Sequence, residues 1–389
     1  MNYNLESKKY KLNVILISSL TNLGAGGKFL HSLLDNHPDV LTIPNAIQQF
    51  CDVKNFDKKN KKDIIKQLYK FKEFFNSKHD VARGRSNLGN KKNSIIKIDK
   101  KLFFYYLNNF LNKNKWCLKN YILSINFSYQ FVLNKSKKKK FIVIYLHDMF
   151  YLEIINRLFK KSKILTIVRL PINSFATYTR NKKIKAERTK KIIRGDYLHF
   201  LYNIFKFVDI KSKVYCINLE ELHKNPKQSL ISMCKKINLK FDNSLLSSTF
   251  NGEIWYNPRK YVYTGFKFQN HNKVNYAEVE KDVCHLIDSS TKNFQTFLGY
   301  MRKNDLKIKI NTKFPVKSFI NYFFYLIKFF IFRSNKKNIY SMYDLIRLKY
   351  NEFKNFNKKI ENIKKYDRNT NFEKKLILIN KNSHIFKRN

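Results

Sequence analysis

Cysteine is scarce in this 389-residue chain and is not arranged for metal binding. The five cysteines are odd in number and widely spaced, and no pair forms a C-x-x-C motif. That pattern gives no zinc site and is typical of reduced, buried thiols in a cytoplasmic protein. The first apolar run, at residues 12–18, is too short for a signal peptide. We therefore expect a cytoplasmic protein without a metal centre.

Acidic residues are also scarce, 28 against 78 Lys plus Arg, which gives a formal net charge of +50. Such a charge favours anionic partners, including nucleotides, sulfated or phosphorylated substrates, membrane surfaces and nucleic acids. The lysines are spread along the whole chain, and Asn, Ile, Phe and Tyr are abundant too, as A+T-rich coding produces. Charge alone therefore does not argue for nucleic-acid binding, and no specific nucleic-acid partner is expected.

Long uninterrupted hydrophobic runs are lacking. The densest apolar-aromatic stretch, residues 318–332, is broken by Lys328 and falls short of the ~20 residues that a membrane-spanning helix needs. We favour a helix that covers the core, and the alternative is a peripheral contact with a membrane surface. Hydrophobic residues nevertheless make up 43% of the chain, enough for a packed core.

Glycine is rare, with nine residues in all, yet three of them fall within four positions at Gly24, Gly26 and Gly27. The apolar run at 12–18 before them predicts a buried strand, and helical spacing of apolar residues after them predicts a helix over 28–36. A helix N-terminus presents unpaired N–H groups and a partial positive charge. With Lys28 added, this turn suits a phosphate or sulfate; the alternative is a tight turn with a solvated lysine.

Strands and helices alternate in the second block of the chain, which predicts an α/β fold with a central parallel sheet. Further strands are expected at residues 141–146, 163–168 and 213–219, and Asn225-Pro226 predicts a helix start.

We assign residues 1–300 to a single P-loop-like α/β core. Within it, residues 51–140 form a lysine- and aromatic-rich, partly helical region expected to bind the acceptor. Residues 301–389 are assigned to a basic, helical C-terminal extension.

The glycine turn does not match the nucleoside-triphosphate P-loop, G-x-x-x-x-G-K-[ST]. The first glycine of that motif falls at Asn22, and Phe29 follows Lys28 where a hydroxyl is required. Without this hydroxyl the usual Mg²⁺ ligand is missing. The turn is therefore expected to hold a phosphate or sulfate without magnesium.

A second candidate site lies at the end of the strand over 163–168. Arg169 follows this strand, where ligands of parallel sheets bind, and Thr177 follows eight residues later in the next predicted helix. A guanidinium and a hydroxyl together suit one phosphate. The alternative is an arginine paired with a core carboxylate and an ordinary helical threonine.

These two motifs, in this order, resemble the sulfotransferases that use 3′-phosphoadenosine 5′-phosphosulfate (PAPS). Three further stretches are similar to the family: LLDNHPDV at 33–40, the acidic pair and N-P helix start within 217–241, and the glycine- and tryptophan-containing segment at 250–268. The resemblance covers about residues 11–300.

The resemblance implies that PAPS is the donor and assigns the residues that bind it. The 5′-phosphosulfate would be held by Gly24, Ala25, Gly26, Gly27, Lys28 and Phe29. The 3′-phosphate would be held by Arg169 and Thr177, with Arg259 and Lys260 nearby. Lys28 would also stabilise charge on the leaving phosphate. The chain departs from the family at Gly24, where a basic residue is common.

The same resemblance points to His147 as the general base. It follows the strand at 141–146 and precedes Arg169 by 22 residues, as the family's histidine does. A pKa near neutrality suits that role. The family's companion lysine is replaced by Tyr145, and the alternative is a loop histidine bonded to Asp148.

The expected function is transfer of a sulfuryl group from PAPS to a hydroxyl or amine of a carbohydrate, glycolipid or small metabolite. Two alternatives belong to other classes. One is a P-loop nucleotide-dependent kinase, and the other is a non-catalytic basic protein that binds anionic lipid or nucleic acid.

Overall fold

The computed structural model describes residues 13–19, 26–81, 84–133, 139–146, 149–181, 213–256, 265–266, 281–300, 358, 361–365, 367–372 and 376–380. Its strands are β1 (Asn13–Ser19), β2 (Val40–Thr42), β3 (Phe141–Tyr145), β4 (Lys163–Val168), β5 (Val214–Asn218), β6 (Thr249–Phe250), β7 (Glu253–Ile254) and β8 (Leu376–Asn380).

The α-helices are α1 (Gly27–Leu34), α2 (Lys61–Lys70), α3 (Lys72–Phe75), α4 (Lys100–Lys113), α5 (Leu118–Val132), α6 (Met149–Leu158), α7 (Pro171–Asn181), α8 (Leu219–Lys224), α9 (Pro226–Ile237), α10 (Lys281–Ser290) and α11 (Lys292–Phe297). The proline predicted to start a helix, Pro226, is the first residue of α9.

Six strands form one parallel sheet in the order β2-β3-β1-β4-β5-β8. The prediction of an α/β fold with a central parallel sheet is confirmed. From β1 the chain crosses to β2 on one side, and β4 continues to β5 on the other side. The direction of winding therefore changes between β1 and β4, and ligands of open α/β sheets bind at the carboxyl ends of the strands at such a point.

Alternate residues of the central strand β1 pack into the two largest hydrophobic clusters, one on each face of the sheet. In β1, Leu16 joins the cluster that contains α4 to α7, whereas Ile15 and Ile17 join the cluster that contains α1 and α9. This division follows from the period of two in a strand. Burial on both faces explains why these strands are continuous runs of branched apolar residues.

The C-terminal segment differs from its predicted character. Residues 361–365 and 367–369 are helical, but Leu376–Asn380 is a strand that pairs with β5. The helical assignment of 301–389 is therefore corrected at this strand, which belongs to the central sheet. An apolar run of four residues in a basic context gave no clear strand signal.

Candidate functional site

Helix α1 begins immediately after a left-handed residue at the carboxyl side of β1. Gly26 has φ 95° and ψ 11°, and within the described part of the chain no side chain caps the helix. A Cβ on Gly26 would lie 3.1 Å from Leu219 Cδ1 and 3.4 Å from Ile167 Cδ1. Glycine is thus favoured both by the backbone conformation and by close packing against the ends of β4 and β5. A helix start without a side-chain cap among the described residues is the kind of helix end at which anions bind.

Lys28, the second residue of α1, is held between the helix and the β6–β7 hairpin. Its ammonium lies 5.1 Å from the centroid of the Trp255 ring and 5.5 Å from that of Phe250. Both distances are within the range of cation–π attraction. The charge predicted to neutralise an anion is therefore close to the start of α1 and against an aromatic wall.

Arg169 and Thr177 are in direct contact, as their spacing predicted. Arg169 follows β4 and its Nη1 donates to Thr177 Oγ1 at 2.8 Å. Thr177 Oγ1 in turn donates to the carbonyl of Asn173, one helical turn earlier, at 2.8 Å. The guanidinium is buried, with 6% of Arg169 exposed. The structure thus places a fixed cation and a hydroxyl together at the carboxyl end of β4.

A buried carboxylate, Glu220 of α8, lies behind this arginine. Glu220 Oε1 accepts a hydrogen bond from the backbone N–H of Leu170 at 3.2 Å and lies 3.9 Å from Arg169 Nε, which is an electrostatic contact. Its other oxygen accepts from the Tyr300 hydroxyl at 2.5 Å. Burial raises the pKa of Glu220, and Arg169 opposes that rise. The alternative interpretation of Arg169, pairing with a core carboxylate, is thus present alongside the threonine contact.

Aromatic stacking connects the start of α1 to the Arg169 region. The Phe29 ring is stacked on His223 of α8 with centroids 5.0 Å apart, and Phe266 contacts both rings edge-on. Burial and then the Arg169 charge lower the pKa of His223 to about 3, so this imidazole is neutral. The two predicted anion sites lie at the carboxyl ends of the neighbouring strands β1 and β4, and Phe29 contacts α8, the helix that carries Glu220.

A second neutral histidine lies further along α1. His31 is fully buried, its Nε2 is 2.6 Å from Thr42 Oγ1, and its ring stacks on Tyr145 with centroids 4.9 Å apart. Burial, then Arg85 and Lys28, lower the pKa of His31 to about 3. The positive charges of Lys28 and Arg85 therefore both act on this helix face.

Several predicted site residues lie outside the described residues: Gly24, Ala25, His147, Asp148, Arg259 and Lys260. The predicted membrane-contacting stretch, 318–332, lies outside them too. Within the described ranges, no helix is long and apolar enough to cross a membrane. The same ranges contain no group of three or more His, Cys, Asp or Glu residues placed to hold a metal ion.

Sequence reasoning missed three features of this site: the stacking of Phe29 on His223, the Glu220–Tyr300 contact and the hairpin beneath Lys28. The hairpin had a readable signal, because Asn251 and Gly252 form the Asn-Gly pair that favours tight hairpins. The other two contacts join residues far apart in the chain and left no local pattern.

No protein-family model matches the chain, and a search of curated proteins returns no significant match.

Proposed function

We propose that this protein is a sulfotransferase that takes its sulfuryl group from PAPS. The observation that supports the proposal is a pair of arrangements at one edge of the sheet, each of a kind that suits an anion: the start of α1 after Gly26 with Lys28, and the Arg169–Thr177 pair. PAPS carries phosphate at two positions of one nucleoside, which suits two such arrangements. A nucleoside triphosphate carries all its phosphates in one chain. It would therefore leave the Arg169–Thr177 pair without a phosphate to bind.

The roles follow from charge and position. The first-turn amides of α1 and the ammonium of Lys28 would bind the 5′-phosphosulfate and stabilise negative charge on the departing phosphate. Arg169 and Thr177 would bind the 3′-phosphate. For this, the Thr177 hydroxyl would donate to the phosphate instead of to the Asn173 carbonyl, and it would keep accepting from Arg169. PAPS, when bound, supplies an activated sulfuryl group whose transfer needs alignment more than covalent help.

The acceptor would be a hydroxyl or amine of a carbohydrate, glycolipid or small metabolite, and the region over 51–140 would bind it. His147 is proposed as the base that takes the acceptor's proton. The proposed location is the cytoplasm, with residues 318–332 as a peripheral membrane contact. No metal takes part in this scheme, since Phe29 occupies the position of the magnesium-binding hydroxyl.

The deciding experiment compares thermal unfolding with 3′,5′-adenosine bisphosphate (PAP), PAPS and ATP, each with Mg²⁺ and with a chelator. PAP and PAPS should raise the unfolding midpoint without Mg²⁺. At a hundredfold excess over Kd the stabilisation is about 2.7 kcal/mol. A rise with Mg-ATP alone would overturn the proposal in favour of a kinase. Binding to polyanions without any effect of PAP would favour a non-catalytic basic protein.

The Arg169→Ala variant tests the assigned orientation of the nucleotide. It should weaken PAP binding far more than adenosine 5′-phosphosulfate binding, because only PAP carries the 3′-phosphate. A charged hydrogen bond of this kind contributes about 1.5–3 kcal/mol. Equal losses for both ligands would show that Arg169 does not contact the 3′-phosphate.

A further inference from the structure

Helix α1 and the β6–β7 hairpin are fastened together along one helix face. Lys28, Ser32 and Asp35 are spaced by four and three residues and therefore lie on the same side of α1. The Ser32 hydroxyl donates to the Phe29 carbonyl at 2.7 Å and lies 2.5 Å from the Ser248 hydroxyl. Because Ser32 has already used its one O–H, Ser248 is the donor in the second contact.

The turn of the hairpin is bound to the end of α1. Asp35 Oδ2 accepts from the Thr249 hydroxyl at 3.1 Å and from the Gly252 N–H at 2.9 Å. Asn251 and Gly252 have φ of 53° and 82°, the combination that a type I′ hairpin turn requires. The Asn-Gly turn thus fixes the position of the two short hairpin strands relative to α1. It thereby fixes the positions of two aromatic residues as well.

Those aromatic residues are Phe250 on β6 and Trp255 just after β7. Phe250 is fully buried and Trp255 is 8% exposed, and their rings meet edge-on with centroids 5.5 Å apart. The Lys28 ammonium lies over both rings, as given above. Leu88 pairs with Trp255, and the Gly89 N–H donates to the Ile254 carbonyl at 2.9 Å, so the hairpin is also held from its other side.

We infer that Trp255 is a positioning residue, which holds the Lys28 ammonium at the start of α1 for the anionic group of the donor. A lysine side chain has four rotatable bonds, and fixing it costs up to ~2 kcal/mol of rotamer entropy. A rigid aromatic wall limits these rotamers before the ligand arrives. The inference rests on the proposed function for the identity of the anion, but the Lys28–Trp255 contact can be tested without any ligand.

The chain provides a matched control, because its second tryptophan also lies under a lysine. The Lys61 ammonium is 5.5 Å from the centroid of Trp116, which stacks on Phe56 at 5.1 Å and packs against the core. The Lys61–Trp116 pair is therefore a second cation–π contact, which lies on α2 and the segment before α5 and does not involve α1.

The first measurement uses PAP affinity by calorimetry. Trp255→Leu should weaken PAP binding by about three- to thirtyfold, the range of a cation–π contact, and Trp255→Phe should restore most of it. Trp116→Leu should leave PAP affinity unchanged. The double variant Lys28→Met with Trp255→Leu should bind no more weakly than Lys28→Met alone. Additive losses, or equal losses for Trp255→Phe and Trp255→Leu, would overturn the inference.

The second measurement needs no nucleotide. In a Trp116→Phe background, Trp255 is the only tryptophan, and Lys28→Met should alter its fluorescence because the charge over the ring is lost. An unchanged emission spectrum would overturn the inference. If wild-type protein does not bind PAP and yet Lys28→Met alters the emission, the contact is supported while the sulfotransferase proposal fails.

Discussion

Two features of the structure favour glycine at position 26, and their effects on stability can be measured separately. Its φ of 95° disfavours any side chain, and an added Cβ would lie 3.1 Å from Leu219 Cδ1. Gly265 has φ 72°, and no heavy atom of the described residues lies within 4 Å of an added Cβ. Gly265→Ala should therefore lose only the backbone term, about 1–2 kcal/mol.

Gly26→Ala should lose more stability than Gly265→Ala and should also weaken PAP binding, because the start of α1 must shift away from Leu219. Urea unfolding gives the two free energies of unfolding, and calorimetry gives the two affinities. Equal stability losses would show that Leu219 gives way at no cost. If Gly26→Ala binds PAP as tightly as the wild type, the start of α1 is not part of the proposed PAP site.

One contact between predicted site residues could be anticipated from the sequence. The eight-residue spacing of Arg169 and Thr177 spans one strand end and one helix start, so local geometry alone brings the two side chains to 2.8 Å. The carboxylate behind them could not be predicted in the same way, because Glu220 reaches Arg169 from α8 and is fixed by Tyr300 beyond α11. Contacts of that kind depend on how the elements pack.

Among the elements, four of the strands were predicted to within one residue at each end. β1, β3, β4 and β5 are buried on both faces and so appear as continuous apolar runs. β2, β6 and β7 have three, two and two residues, too few for any period to be seen. β8 has five residues but borders the basic C-terminal region, and its place beside β5 is a long-range pairing.

β8 supports a prediction about truncation. Leu376 is 2% exposed and packs in the same cluster as Val214 and Cys216 of β5. A chain that ends at residue 375 should lose this burial and the strand pairing, with a loss of at least about 2 kcal/mol in the free energy of unfolding. A chain that ends at residue 381 keeps the strand and is the matched control. Thermal unfolding of both tests the prediction; equal midpoints would show that β8 adds nothing to the sheet.

Over the whole molecule, charge and burial together determine how stability depends on pH. Folding lowers the pKa of His31 and of His223 from the ordinary 6.5 to about 3, in each case mainly through burial. The unfolded chain therefore binds protons more readily between these values, so stability falls as pH drops below about 6.5. At pH 5 each histidine should have reduced the free energy of unfolding of the protein by about 2 kcal/mol.

Asp367 acts in the opposite direction. It accepts hydrogen bonds from the backbone N–H groups of Asn293 and Phe294 at the start of α11, at 2.8 and 2.9 Å. Burial nevertheless raises its pKa from the ordinary 3.8 to about 6. Here the folded chain binds the proton more readily, so acidification from pH 7 to pH 5 should add about 1 kcal/mol to stability.

The sum of these effects is a net loss of about 2–3 kcal/mol in the free energy of unfolding between pH 7 and pH 5. Urea unfolding at the two pH values measures it directly. Replacing both histidines (His31→Gln with His223→Gln) should abolish most of the loss, because glutamine does not titrate. Asp367→Asn should make the loss larger, since a group that opposes it is removed; Glu220, whose pKa burial also raises, continues to oppose it. A double histidine variant with an undiminished loss would contradict the assignment, and the acid sensitivity would then originate in other groups of the +50 chain.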